Sequence, residues 1–104
     1  MNDVCLIVKM HEEGIDGAVG RVLGIQLKDK IISSFDSGKY DRIILDFSKV
    51  DFITSGFAKE LLGGLYENYR ESFKQLVSVR VEKENSTLKN TIIRALATAV
   101  DATK

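Results

Sequence analysis

The apolar positions of this chain alternate between two spacings. Val4 to Met10 is a short apolar run rich in β-branched residues. A run of this kind reads as a strand covered on both faces, or nearly so. His11 to Gly20, HEEGIDGAVG, holds three glycines and four ionisable side chains, the composition of a loop. From Val19 the spacing lengthens. Val19, Leu23, Leu27, Ile31 and Phe35 fall at i, i+4 steps, with Val22 and Ile32 beside them and Lys28, Asp29 and Lys30 mostly off the stripe. This predicts an amphipathic helix that ends near Ser37-Gly38, where glycine suits the C-cap. Gly24 lies inside the pattern and costs about 1 kcal/mol of helix propensity.

Asp41-Arg42 leads into Ile43-Ile44-Leu45-Asp46-Phe47, expected as a central, buried strand. A loop follows, with Val50, Phe52 and Ile53 expected to turn back to the core. The next helix is expected from about Ser55 to Arg70, with Ala58, Leu61, Leu62, Leu65 and Tyr69 as its apolar stripe. Gly63-Gly64 in its middle costs roughly 2 kcal/mol against alanine. Close packing or a local break would account for the pair. Val77, Val79 and Val81 alternate with Ser78, Arg80 and Glu82, a strand with one wet face. Asn85, Ser86 and Thr87 are N-cap candidates for a last helix carrying Leu88, Ile92, Leu96 and Val100, with Ile93 and Ala97 alongside. The tail, 101–104, is expected to fray. The order β-α-β-α-β-α implies right-handed crossovers and a mainly parallel sheet, an α/β fold in a single small domain over 1–104.

Composition narrows the function classes. At 104 residues the chain is long enough for one core and too short for two. Lys plus Arg and Asp plus Glu both total 15, and like charges do not cluster, so nothing favours nucleic acid as a partner. No segment approaches the roughly 18 consecutive apolar residues of a membrane span. The first residues lack the basic region of a signal peptide, and a cytoplasmic location is expected. The single cysteine, Cys5, is expected to act as a small core hydrophobe. It fits a reducing compartment.

Few motifs carry chemistry. Gly14, Gly17, Gly20 and Gly24 match neither G-x-x-x-x-G-K-[ST] nor G-x-G-x-x-G. His11, the only histidine, stands beside Glu12 and Glu13, too few ligands of that type for a metal site. Asp46, Asp51 and Glu60 are the carboxylates near the central loop. They read either as acid–base or cation-holding groups at a strand end or, for Asp46 and Asp51, as acceptors for backbone N–H groups of the turn. Thr54-Ser55-Gly56 lacks the first glycine of a hydrolase elbow and has no histidine nearby. No catalytic set, metal site or cofactor motif emerges, and a non-enzymatic role is expected. Thr54 and Ser55 are the remaining chemistry. Two adjacent hydroxyls at an electropositive helix start can cap it or accept a phosphate.

Residues 43–65, IILDFSKVDFITSGFAKELLGGL, resemble the core signature of STAS domains, the fold of bacterial anti-sigma-factor antagonists. In that signature a strand ending in Leu-Asp is followed by a small apolar turn, then Asp-Ser-Ser-Gly and a helix. Leu45-Asp46 matches the strand end, Val50 and Phe52 the turn, and Ile53-Thr54-Ser55-Gly56 the tetrapeptide. Phe57, Ala58, Leu61 and Leu62 match the helix start. The segment is more similar still to a divergent STAS-like family of unknown function.

The resemblance implies a small mixed sheet with helices largely on one face and a first strand often antiparallel to the rest. It implies a protein partner, a histidine-kinase-like ATPase or anti-sigma factor, bound through Ile53, Thr54, Ser55, Gly56, Phe57, Lys59 and Glu60. In the antagonists the first serine of the tetrapeptide is phosphorylated by that partner. Thr54 occupies the position here, with Ser55 beside it, and Ile53 replaces the preceding aspartate. Phosphorylation at Thr54 or Ser55 would release the partner. The alternative is a small-ligand or nucleotide site at the strand ends near Asp46, Asp51 and Thr54, with 14–20 as a lid. A third reading pairs the valine strand across a weak homodimer.

Overall fold

The computed structural model describes residues 4–17 and 20–102. Val19, the first residue of the expected helical stripe, lies outside them, as do Thr103 and Lys104 of the tail. β1 (Cys5–Lys9) is followed by α1 (Arg21–Asp36) and β2 (Arg42–Asp46). A helix over 55–69 comes next: α2 (Ser55–Ala58), a π-helical segment (Lys59–Gly63) and α3 (Gly64–Tyr69). A 3-10 turn (Arg70–Ser72) and a short α4 (Phe73–Leu76) then lead to β3 (Val77–Arg80), and α5 (Ser86–Ala102) is the last described element.

The strands form one parallel sheet in the order β1-β2-β3, β1 included. Two successive right-handed crossovers between neighbouring strands put α1 and the 55–69 helix on the same face of the sheet. Both α1 and α5 pack against that central helix. The register aligns Ile7, Ile44 and Ser78 in one row and Lys9, Asp46 and Arg80 in the next.

The opposite sheet face is open, which corrects the expectation of strands covered on both sides. Val8, Ile43, Leu45 and Val77 are buried under the helices, whereas Ile7 is 46% exposed and Ile44 and Ser78 are half-buried. Cys5 shares the outer face and is half-buried, so it is not a core residue. The valine strand does show its expected wet face, with Arg80 exposed.

The helices follow the expected spacing with changes: in α1, Leu23 of the expected stripe and Val22 beside it are exposed, and Gly24, Leu27 and Ile31 are its buried face. In α5 the buried stripe is Leu88, Ile92, Ala95 and Ala99. The i+4 series through Leu96 and Val100 drifts off the core, because a 3.6-residue turn needs i+3 steps as well. Ile93 is 52% exposed and Val100 also faces solvent. The Gly63-Gly64 pair does not break its helix: the π-helical segment ends at Gly63 and α geometry resumes at Gly64. A Cβ on Gly63 would touch the Ala99 methyl at 3.7 Å, and one on Gly64 would run into the Lys28 side chain.

Two core contributors come from segments with no helical or strand pattern: Ile15 in the glycine loop and Phe73 in α4. Tyr66 and Phe73 meet edge to face, as do Phe35 and Tyr69, each pair with centroids 5.6 Å apart. The Tyr69 hydroxyl is buried without a hydrogen-bond partner among the described residues. Burial, reinforced by the negative charge of Asp36, pushes its pKa up. An unsatisfied buried hydroxyl is a cost. Tyr69→Phe is therefore expected to hold or raise stability by up to about 1 kcal/mol in urea unfolding.

Candidate functional site

Polar contacts from distant segments fix the loop between β2 and the central helix. The Asp46 carboxylate accepts the Ser48 N–H at 2.9 Å, which turns the chain as it leaves the sheet. Lys49 then takes a left-handed conformation, φ 68°, and donates its N–H to the Glu82 carboxylate at 2.8 Å. Asp51 donates its N–H to Asp16 at 3.0 Å, and the Asn85 amide donates to the carbonyls of Val50 and Asp51 at 3.1 and 2.8 Å. The same Asn85 accepts the Leu88 N–H and so caps α5. Asp46 thus has the turn-forming role, while Asp51 is held through its backbone. Sequence reading did not single out Asp16 or the loop role of Asn85, because such long-range acceptors leave no local pattern.

This anchoring sets the start of the central helix. Thr54 is the N-cap: its backbone is extended and its hydroxyl accepts the Phe57 N–H at 3.2 Å. Ser55, the first helical residue, is exposed and makes no side-chain hydrogen bond among the described residues. The hydroxyl pair is divided into a cap and an outward-facing group. Thr54→Ala is expected to cost about 1 kcal/mol in chemical denaturation, and Ser55→Ala almost nothing.

Two residues expected on the partner-facing surface are in the core. Phe57 is 0% exposed and Ile53 is 4% exposed. Phe57 sits one helical turn before Leu61 on the buried stripe, and Ile53 turns inward as the loop enters the helix. The exposed aromatic is Phe52, 48% accessible, which was expected in the core. Its carbonyl accepts the Gly17 N–H at 2.8 Å, and its ring lies beside Gly17, whose φ of +84° favours glycine.

Gly56 lets α1 come close. A Cβ there would stand 2.8 Å from the Arg21 side chain, which crosses it to pair with Glu60 at 2.8 Å. Val22 and Ile25 lie exposed beside this crossing on α1, and Lys59 is exposed on the central helix. Ser55, Gly56, Lys59 and Glu60 therefore share one surface with Arg21.

Asp46 belongs to a different place. With Lys9, His11, Glu12, Ser48 and Lys49 it lines an open cavity of about 280 Å3 at the carboxyl ends of β1 and β2. Thr54 and Asp51 are not among its lining residues. No three His, Cys, Asp or Glu side chains converge on a possible metal position among the described residues. Hydrogen bonds from Ser48, side chain first and then backbone, hold the Asp46 pKa below the ordinary carboxylate value, with help from Arg80 and Lys9. A depressed pKa stabilises the fold above the unfolded carboxylate value, near ~3.9, and that contribution is lost as pH falls through the lower folded value. Asp46→Asn is expected to flatten the decline of the urea midpoint below about pH 4. An unchanged profile would show that the Ser48 contacts do not hold the charge.

Among the described residues no helix is long and apolar enough to cross a membrane. No curated protein and no solved structure matches the chain. The model of one family, described as a STAS-like domain of unknown function (DUF4325), matches residues 24–87, from the first turn of α1 to the first turn of α5. That span takes in the capped loop, the central helix and β3. The chain therefore belongs to the STAS-like domain family of unknown function.

Proposed function

We propose that this domain is a non-enzymatic regulatory module that binds a protein partner over the start of its central helix and releases it when Ser55 is phosphorylated. The observation that carries this reading is the division of the hydroxyl pair. Thr54 is engaged in the cap, while Ser55 stands exposed at the positive end of a helix that runs over 55–69. Phosphoryl transfer from a kinase's ATP to the Ser55 oxygen would add about two negative charges there. The helix end tolerates them. A partner fitted to the neighbouring apolar groups Phe52, Val22 and Ile25 would meet a new, strongly hydrated anion.

Arg21 gives the switch a second component. Its aliphatic stem passes over Gly56 and its guanidinium is bound to Glu60, while its side chain is largely exposed. A phosphate on the adjacent Ser55 offers it a doubly charged acceptor. Resemblance to the anti-sigma-factor antagonists favours a histidine-kinase-like ATPase as the partner. The test is an affinity capture from the source cell with the native chain, Ser55→Ala and Ser55→Asp, with circular dichroism to verify folding. The native chain and Ser55→Ala should retain an ATPase-like partner, and Ser55→Asp should lose it. Equal capture by all three would overturn the switch.

The cavity at Asp46 supports a second reading, a small-ligand or nucleotide site. A ligand at 100 times its Kd would stabilise the fold by about 2.7 kcal/mol, visible in a thermal-shift screen. Any such shift should disappear on Lys9→Ala, because Lys9 lines that cavity.

A further inference from the structure

The outer face of the sheet combines an apolar strip with unpaired cations. Strand parity turns Ile7, Ile44 and Ser78 outwards as its middle row, and Lys9, Asp46 and Arg80 as the row at the carboxyl ends. Arg42 stands at the opposite end, beside Cys5. No outward residue of the three strands is fully buried. Parallel sheets are normally covered on both faces. Here both crossovers place their helices on the inner face, so the outer one lacks its layer among the described residues.

The charges at the two ends have one sign. Lys9, Arg42 and Arg80 are exposed and make no ion pair among the described residues. The carboxylates near them are already engaged by backbone. Asp46 accepts the Ser48 N–H at 2.9 Å, and Asp41, next to Arg42, accepts the Val4 N–H at 3.1 Å. Lys9 and Arg80 act on Asp46 only through space. Cations therefore bracket the strip of Ile7 and Ile44. From Arg42 to the row of Asp46 is about 13 Å, at ~3.3 Å per strand residue. A helix covers that length in about nine residues. Three strands at ~4.8 Å spacing are about 10 Å across, the width of one helix.

We infer that the outer sheet face docks one amphipathic helix of a protein partner, with its apolar stripe on Ile7 and Ile44 and acidic side chains at its two ends. The acids face Arg42 at one end and Lys9 and Arg80 at the other. Opposite charges steer such a helix and fix its position along the strands. The helix completes the second layer of the parallel sheet. A lipid surface suits the face less well. It needs apolar groups that project, whereas Ile44 at the centre is half-buried between projecting cations. The interface lies across the sheet from the central helix, so it is separate from the surface around Ser55.

The test uses the full chain and two synthetic helical peptides. One has a leucine stripe and glutamates at both ends, and the other has lysines in place of the glutamates. Cys5, the only cysteine, reports on the face through its alkylation rate. The glutamate peptide should slow alkylation and bind about tenfold more tightly than the lysine peptide. The preference should invert in the double variant Arg42→Glu/Arg80→Glu, with circular dichroism verifying its fold. Neither residue lines the Asp46 cavity, so the variant leaves that reading untouched. Ser55→Asp should leave peptide binding unchanged, which separates this interface from the proposed switch. Equal action of the two peptides on the native chain, or no slowing by either, would overturn the inference. Slowing by phosphatidylglycerol vesicles but not by the glutamate peptide would also overturn it and assign the face to a lipid surface.

Discussion

Phe57→Ala is expected to lower stability by about 3–5 kcal/mol, the usual cost of emptying a fully buried aromatic site. Phe57 is completely enclosed, and its own carbonyl lies against α1 at Gly24. The residue therefore joins the central helix and α1 at one point, in a segment that also packs against α5. A domain of this size has roughly 5–10 kcal/mol in total, so the variant should lose a large share of its stability and unfold at a much lower urea concentration. Urea denaturation measures it directly. Phe52→Ala provides the contrast. Its ring is half exposed, and loss of stability should stay within about 0.5 kcal/mol, while the proposed partner contact weakens. A loss below 1 kcal/mol for Phe57→Ala would mean that the ring is on the surface and that the site is drawn wrongly.

The second large effect is expected at Gly24. A Cβ there would stand 2.8 Å from the Phe57 carbonyl oxygen and 3.0 Å from the Glu60 Cβ. The first obstacle is backbone and cannot move without displacing a whole helix. Gly24→Val should cost about 2–3 kcal/mol through overpacking. It should also shift Arg21 away from Gly56 and Glu60, so that partner capture changes along with stability. Gly64→Ala is the control. The atoms it meets belong to the flexible Lys28 side chain, which can move aside. Alanine then contributes its helix propensity, and stability should hold or rise by up to about 1 kcal/mol. Guanidinium unfolding of the two variants, compared with the native chain, separates the cases. Equal losses at both sites would show that the Lys28 side chain cannot move aside and that Gly64 is as tightly packed as Gly24.

Much of the framework was legible because it rests on local rules. The alternating valines became β3, the i, i+4 stripe became α1, and Gly38 became the left-handed residue after α1, with φ 82°. The motif Thr54-Ser55-Gly56 fell at a helix start as expected, since capping depends on neighbouring backbone groups. The errors share one cause. Ile44, Cys5 and Ile7 look like core residues in any sequence window, yet among the described residues none buries their side of the sheet. Phe52 and Phe57 are both aromatic and five residues apart, and only the path of the loop decides which one is buried.

Sequence alone determined the element order, the parallel α/β class and the position of the hydroxyl-bearing helix start, because periodicity and capping act over a few residues. Tertiary structure decided the rest. It assigned the cap to Thr54 and exposure to Ser55. It brought Asp16, Glu82 and Asn85 from distant segments to hold the loop. It gave Gly24, Gly56 and Gly64 their purpose as contact points between helices. These outcomes depend on which surfaces meet, and that is a property of the packed chain as a whole.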